Sequence, residues 1–97
     1  MIQSFASRDT EELFAGGSPR KFRSFQAQAE RKLRVLDSAK DLTDLRVSPA
    51  NRLEKLGGNR RWQCSIRIND QWRICFRWRD DGPWDVDIVG LPLKERA

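Results

Sequence analysis

The stretch SIRINDQWRICFRW, residues 65–78, decides the fold, because two alternating runs meet in it around Asn69-Asp70-Gln71. Trp62, Cys64, Ile66 and Ile68 alternate with Gln63, Ser65, Arg67 and Asn69. Trp72, Ile74, Phe76 and Trp78 alternate in the same way with Arg73, Cys75, Arg77 and Arg79. Period-2 alternation of this kind marks strands with one apolar side. The apolar sides coincide only if Ile66 opposes Ile74, Cys64 opposes Phe76 and Trp62 opposes Trp78, which leaves Asn69-Asp70-Gln71 as the connecting loop. A slip of one residue would bury arginine. The same register sets Arg67 directly opposite Arg73. Opposed like charges on a sheet cost about 0.2–1 kcal/mol, so the pair needs either acidic neighbours or an anion. An ion-pair lattice reaching diagonally to Asp87 is one reading; two guanidinium forks seating a phosphate is the other.

Working outward, Asp80-Asp81-Gly82-Pro83 forms a turn and Trp84 to Val89 a further strand. Continuing the meander with Trp78 opposite Trp84 sets Arg77 against Asp85 and Cys75 against Asp87. Trp62, Trp72, Trp78 and Trp84 then all fall on the apolar side, where core or core-edge packing is expected over a role as base-stacking platforms, with Trp72 and Trp84 the ones expected to be partly exposed. Upstream, Arg52 to Leu56 reads as a weak strand and Gly57-Gly58-Asn59 as a turn. Met1 to Phe5 alternates as a short strand, and the capping-box spacing Asp9-Thr10-Glu11-Glu12 starts a helix that buries Leu13 and Phe14. After Gly16-Gly17-Ser18-Pro19, a second helix runs from about Arg20 to Ala39. Phe22, Phe25, Ala29, Leu33 and Leu36 form its apolar stripe, and Lys21, Arg23, Arg31, Lys32 and Arg34 its basic face. Helices followed by an antiparallel meander define an α+β class, with the helices packed on one sheet face. A chain of 97 residues is expected to form a single domain spanning 1–97.

Lys and Arg together number 19 against 14 Asp and Glu, a formal charge of +5, which suits a polyanionic partner. The N-terminus lacks the apolar run of a signal peptide and no window is long enough to span a membrane, so a cytoplasmic protein is expected. Cys64 and Cys75 lack metal-ligand spacing, and the chain has no histidine to complete a zinc site, so no metal or cofactor is expected. The register points Cys64 to the core and Cys75 to the arginine side, which argues against a disulfide. The chain also has no tyrosine. With neither His nor Tyr, proton transfer would fall to carboxylates or a thiol.

Several stretches together resemble the HigB-type toxins of bacterial type II toxin–antitoxin modules, within the RelE/ParE superfamily. They are MIQSF at the start, AERKLRVLD, DLRVSPANRLEKL, and above all SIRINDQWRICFRW followed by DVDIV. The resemblance covers nearly the full length. It implies a RelE-like fold, with two N-terminal helices on a curved antiparallel sheet. It implies a toxin that cleaves mRNA on the ribosome and is neutralised by a HigA-type helix-turn-helix antitoxin, with operator DNA bound only through that antitoxin. Arg73 and Arg67 match the family's sheet arginines, giving Arg73 as the phosphate clamp and Arg67 as its assistant. Arg60, Arg61, Lys55 and Arg77 are the accompanying RNA-binding candidates.

Two departures bear on the chemistry. Many members carry a lysine where this chain has Gly57, with Lys55 nearby as a substitute. Members typically close with Asp-Tyr-His where this chain has Gly90-Leu91-Pro92, followed by Leu93-Lys94-Glu95-Arg96-Ala97. Arginine stabilises charge on phosphorus well but stays protonated throughout, so it cannot carry a proton. The proton carriers left near the arginine face are Asp85, Asp87 and Cys75, or the ribosome itself. Two functional classes therefore remain open. One is a ribosome-dependent endoribonuclease. The other is a binding module, either a degenerate toxin that docks an antitoxin or a ParE-like gyrase inhibitor.

Overall fold

The structure, a computed structural model, describes residues 1–91; the C-terminal run that departs from the family pattern lies, from residue 92 on, outside the described residues. Helix α1 spans Arg8–Phe14 and is capped by Ser7, whose hydroxyl accepts from the Thr10 backbone N–H. The helix thus starts earlier than the Asp9-to-Glu12 spacing suggests, because Ser7 supplies the oxygen that an N-cap needs. This places Thr10 on the buried face, where its hydroxyl accepts the Ile88 N–H at 3.1 Å and ties the helix to the sheet. Leu13 is buried as expected, whereas Phe14 stays 38% exposed and leans on Phe5.

The second helix opens as a 3-10 turn over Arg20–Phe25 and becomes α-helical over Gln26–Ser38, α2. The tighter first segment eclipses Phe22 and Phe25 at i and i+3, so both reach one partner. Phe25 stacks on the Trp72 ring at 4.8 Å and Phe22 meets the same ring edge-on at 5.9 Å. Along α2, Ala29, Leu33 and Leu36 face the core, the i, i+4, i+7 stripe of an amphipathic helix. A short α3, Leu42–Val47, is closed by a capping box between Asp41 and Asp44.

Strands β1 (Glu54–Lys55), β2 (Cys64–Arg67), β3 (Trp72–Arg79) and β4 (Gly82–Gly90) form a 4-stranded antiparallel sheet in the order β1-β2-β3-β4. With the helices, this is the α+β architecture that the resemblance implies. The β2–β3 register pairs Cys64 with Phe76, Ile66 with Ile74 and Arg67 with Arg73, as the alternation requires. Trp62 departs from it: β2 begins only at Cys64, so Trp62 does not oppose Trp78 and is 67% exposed.

The β3–β4 register holds at one end and breaks at the other. Cys75 opposes Asp87, but Arg77 opposes Trp84 and Trp78 opposes Pro83. The expected pairings of Arg77 with Asp85 and Trp78 with Trp84 are therefore corrected. The physical reason is a β-bulge: Asp85 takes φ 55°, and its N–H is held by the Ser4 hydroxyl at 2.8 Å. One extra residue flips everything before it to the other sheet face. Trp84 thus lies on the arginine side, with the Arg79 guanidinium 5.5 Å from its ring centroid. Among the described residues Arg77 forms no ion pair.

The chain start meets the free edge of β4 at one parallel bridge, Phe5 to Val86, rather than as a full strand. No helix among the described residues is long and apolar enough to cross a membrane.

Candidate functional site

The side of the sheet away from the helices carries Ser65, Arg67, Arg73 and Cys75 in adjacent ladder positions. Arg73 is only 6% exposed. Its Nε donates to the Ser65 hydroxyl at 2.7 Å, and its Nη2 donates to the Arg52 carbonyl at 2.5 Å, with Glu54 3.8 Å away. To offer that carbonyl, Arg52 adopts the left-handed backbone at φ 44°. Arg67 turns to its own loop and pairs with Asp70. The repulsion expected of the opposed pair is thus resolved inside the protein, by Glu54 and carbonyls for one arginine and by Asp70 for the other. Among the described residues, Arg67 and Arg73 therefore do not form an exposed seat of two free guanidinium forks.

Other cations gather around Arg67. Lys32 donates to Asn51 Oδ1 at 2.6 Å, and partial burial together with the nearby Arg67 and Arg31 pulls its pKa below the usual lysine value. Asn51 is itself buried and donates to the Leu45 carbonyl at 3.0 Å. Cys75, buried on the arginine side, has its thiol pushed up to about 11 by desolvation, against the opposing pull of Arg60 and Arg73. A thiol of that pKa is neutral at physiological pH, which removes Cys75 as a nucleophile or base. Cys64 is likewise raised by burial, and both cysteines are free.

A cleft of about 510 Å³ opens beside this face, at the part of β4 that the chain start leaves uncovered. Ala6, Ser7 and Lys21 come to it from the N-terminal elements. Asn59, Arg60 and Gln63 come from the turn before β2, and Asp87, Ile88, Val89 and Gly90, with Trp72, from the end of the sheet. Local chemistry explains the turn. Gly58 takes φ 57°, which suits glycine, and a single 3-10 turn over Gly58–Arg60 follows. The Arg60 Nη1 then donates to Gln63 Oε1 at 2.8 Å, holding the guanidinium in the cleft.

Asp87 is half-buried and faces Cys75 across the ladder. Among the described residues it has neither an ion pair nor a side-chain hydrogen bond, although both it and Arg60 act on the Cys75 thiol. The cleft therefore sets a fixed cation beside an uncommitted carboxylate, over a floor that includes the Trp72 ring. Such a pair can stabilise added negative charge and accept a proton. Gly90, where the family resemblance places an acid, lines this same cleft.

The remaining candidates are dispersed. Arg61 is exposed, its guanidinium 5.2 Å from the Trp62 ring centroid. Lys55 pairs with Cys64, whose side chain packs on the core, so it lies on the opposite side of the pleat from Arg73. Arg77 is half-buried across from Trp84. Asp85 is held in the bulge by Ser4 and does not line the cleft. Lys21, from the second helix, reaches the cleft only through the fold, and Asn59 and Gln63, beside Arg60 in the turn, are neutral side chains that a search for basic residues passes over. Among the described residues no group of His, Cys, Asp or Glu could hold a metal ion.

A family model described as "RelE-like toxin of type II toxin-antitoxin system HigB" matches residues 3–88. Toxin HigB-1 of Vibrio cholerae is 52% identical over 50 residues, which cover 52% of this chain and 53% of that protein. The match thus spans about half the length of that relative.

Proposed function

The chain belongs to the HigB-like family of RelE-like toxins of type II toxin–antitoxin systems, and from that membership together with the cleft we propose that it is a ribosome-dependent mRNA endoribonuclease. The observation that carries the reading is the meeting of Arg60 and the uncommitted Asp87 in one cleft. In this reaction the 2′-oxygen of a nucleotide attacks the adjacent phosphorus and the P–O5′ bond breaks. The products are a 2′,3′-cyclic phosphate and a 5′-hydroxyl end. Asp87 takes the 2′-hydroxyl proton, Arg60 holds the charge that builds on the non-bridging oxygens, and a water protonates the departing O5′.

Arg73 and Arg67 enter this scheme differently from one another. Arg73 adds positive potential from behind the cleft while its hydrogen bonds hold β1 and β2 together, and Arg67 extends that potential toward Lys32. Arg61, Arg77 and Lys55 supply backbone contacts to RNA, worth most at low salt. A HigA-type helix-turn-helix antitoxin neutralises the toxin and carries the pair to operator DNA. The site of action is the cytoplasm.

The test is induction without an antitoxin, followed by mapping of mRNA 5′ ends. New 5′-hydroxyl ends within translated frames are expected from the wild type. Asp87→Asn should lose about 10²-fold or more in cleavage while still co-sedimenting with ribosomes. Unchanged growth and unchanged ends would sink the reading. A second reading, the antitoxin-binding or gyrase-inhibiting module, is favoured by the chain's lack of His and Tyr and by the engagement of Arg73 within the fold. Arrested supercoiling with intact mRNA would identify the gyrase variant, and antitoxin binding without toxicity the degenerate toxin.

A further inference from the structure

Of the four tryptophans, Trp62 alone has no place in the fold. Trp72 is clamped by Phe22 and Phe25, Trp78 packs on the core beside Phe76, and Trp84 donates its indole N–H to Asp81 at 2.7 Å. Trp62 is 67% exposed, and its one aromatic-face partner among the described residues is the Arg61 guanidinium, 5.2 Å from the ring centroid. An indole left in water gives up the burial that its three counterparts obtain. Its surroundings are cationic. Residues 52–63 carry Arg52, Lys55, Arg60 and Arg61 against the single acid Glu54, and Glu54 sits by the buried Arg73. Trp62 also directly precedes Gln63 and lies two positions after Arg60, both of which line the cleft. Neither it nor Arg61 lines the cleft itself, but the two are flanked in the chain by residues that do.

We propose that Trp62, backed by Arg61, is a stacking platform for one unpaired base of the mRNA, next to the nucleotide whose phosphate enters the cleft. The inference rests on the RNA-cleaving reading above. Stacking on an indole accepts any base, because every base has a π-face, and an arginine against the ring adds a cation for the passing phosphate. Arg61 and Trp62 connect two cleft-lining residues, Arg60 and Gln63, so a strand whose phosphate sits by Arg60 has them within its reach. The charge excess of residues 52–63 favours a polyanion over an antitoxin as the occupant.

Cleavage kinetics on ribosomes programmed with a defined mRNA test this, using Trp62→Ala, Trp62→Leu and Trp62→Phe. Trp62→Ala and Trp62→Leu should raise KM about tenfold, within the range for loss of one stacked base, with kcat little changed. Trp62→Phe should retain most of the affinity. The unfolding midpoint should not move, since the residue is exposed. An abasic site at the flanking nucleotide should cost the wild type the same loss and cost Trp62→Ala nothing more. Unchanged KM in Trp62→Ala, or equal abasic losses in both proteins, would overturn the proposal, as would a defect confined to antitoxin binding. Should the wild type not cut at all, the cleavage reading fails separately. A labelled single-stranded decamer of RNA then decides on Trp62: weaker binding by Trp62→Ala upholds it, and equal or absent binding overturns it.

Discussion

Arg73 and Arg60 both act on the Cys75 thiol from the same side of the sheet, yet they do opposite work. Arg73 lies in the middle of a ladder, closed over by β1, and spends its donors on Ser65, Arg52 and Glu54. Arg60 lies on a turn beside the uncovered edge of β4, and the one hydrogen bond its guanidinium makes among the described residues, to Gln63, aims it into a cleft. The difference teaches that charge on a sheet face is not the same as charge offered to a ligand. A guanidinium whose fork is satisfied internally is part of the fold. One that is positioned but not satisfied is part of a site.

Substitution separates the two roles. Arg60→Ala should lower cleavage by about 10²–10³-fold, the loss typical of removing one charge-stabilising donor, while stability stays within about 0.5 kcal/mol of the wild type. Single-turnover cleavage and a denaturant melt check both halves. Arg73→Ala should act mainly through the fold. It leaves Ser65, Glu54 and the Arg52 carbonyl without their donor, destabilising the protein by about 3 kcal/mol, and the loss of cleavage per folded molecule, from the lost potential behind the cleft, should be smaller than that of Arg60→Ala. Arg73→Lys should rescue little, because an ammonium cannot span the same acceptors as the fork.

A smaller effect belongs to Cys75, which lies between them. Its thiol is raised from 9.0 to about 11 in the folded protein. Below pH 9 both folded and unfolded chains hold the proton, so stability is unaffected. As pH rises from about 9 to 11 the unfolded chain releases its proton first, and stability should fall by up to about 2 kcal/mol. Cys75→Ser should flatten that part of the stability–pH curve. Smallest is the bulge. Asp85→Val should cost about 1–2 kcal/mol, because a β-branched residue resists a positive φ. Asp85→Gly should remain within about 1 kcal/mol of the wild type.

The legible part of the molecule is the part where local pattern and global fold agree. The β2–β3 register follows from an unbroken alternation, and the stripe from Phe22 to Leu36 places α2 on the core. The β3–β4 register was hidden by the same rule. Trp84, Val86 and Ile88 continue the apolar alternation straight across the bulge, so the sequence carries no mark of the extra residue. What holds Asp85 there is Ser4, far away in the chain. The site shows the same division. Arg67 and Arg73 were visible as a pair, but the partners that satisfy them, and the Lys21, Arg60 and Asp87 that share a cleft, come together only through tertiary contact. Trp62 escapes the pattern for a related reason: the alternation continues past Cys64, but the strand begins only there.

The most direct measurement is single-turnover cleavage of a programmed ribosome by Arg60→Ala and the wild type at equal folded concentration, with the ends mapped. A loss of about 10²-fold or more in the variant, with unchanged unfolding and unchanged antitoxin binding, is the result expected if the cleft is the RNA site. Cleavage by Arg60→Ala at the wild-type rate and position would contradict it.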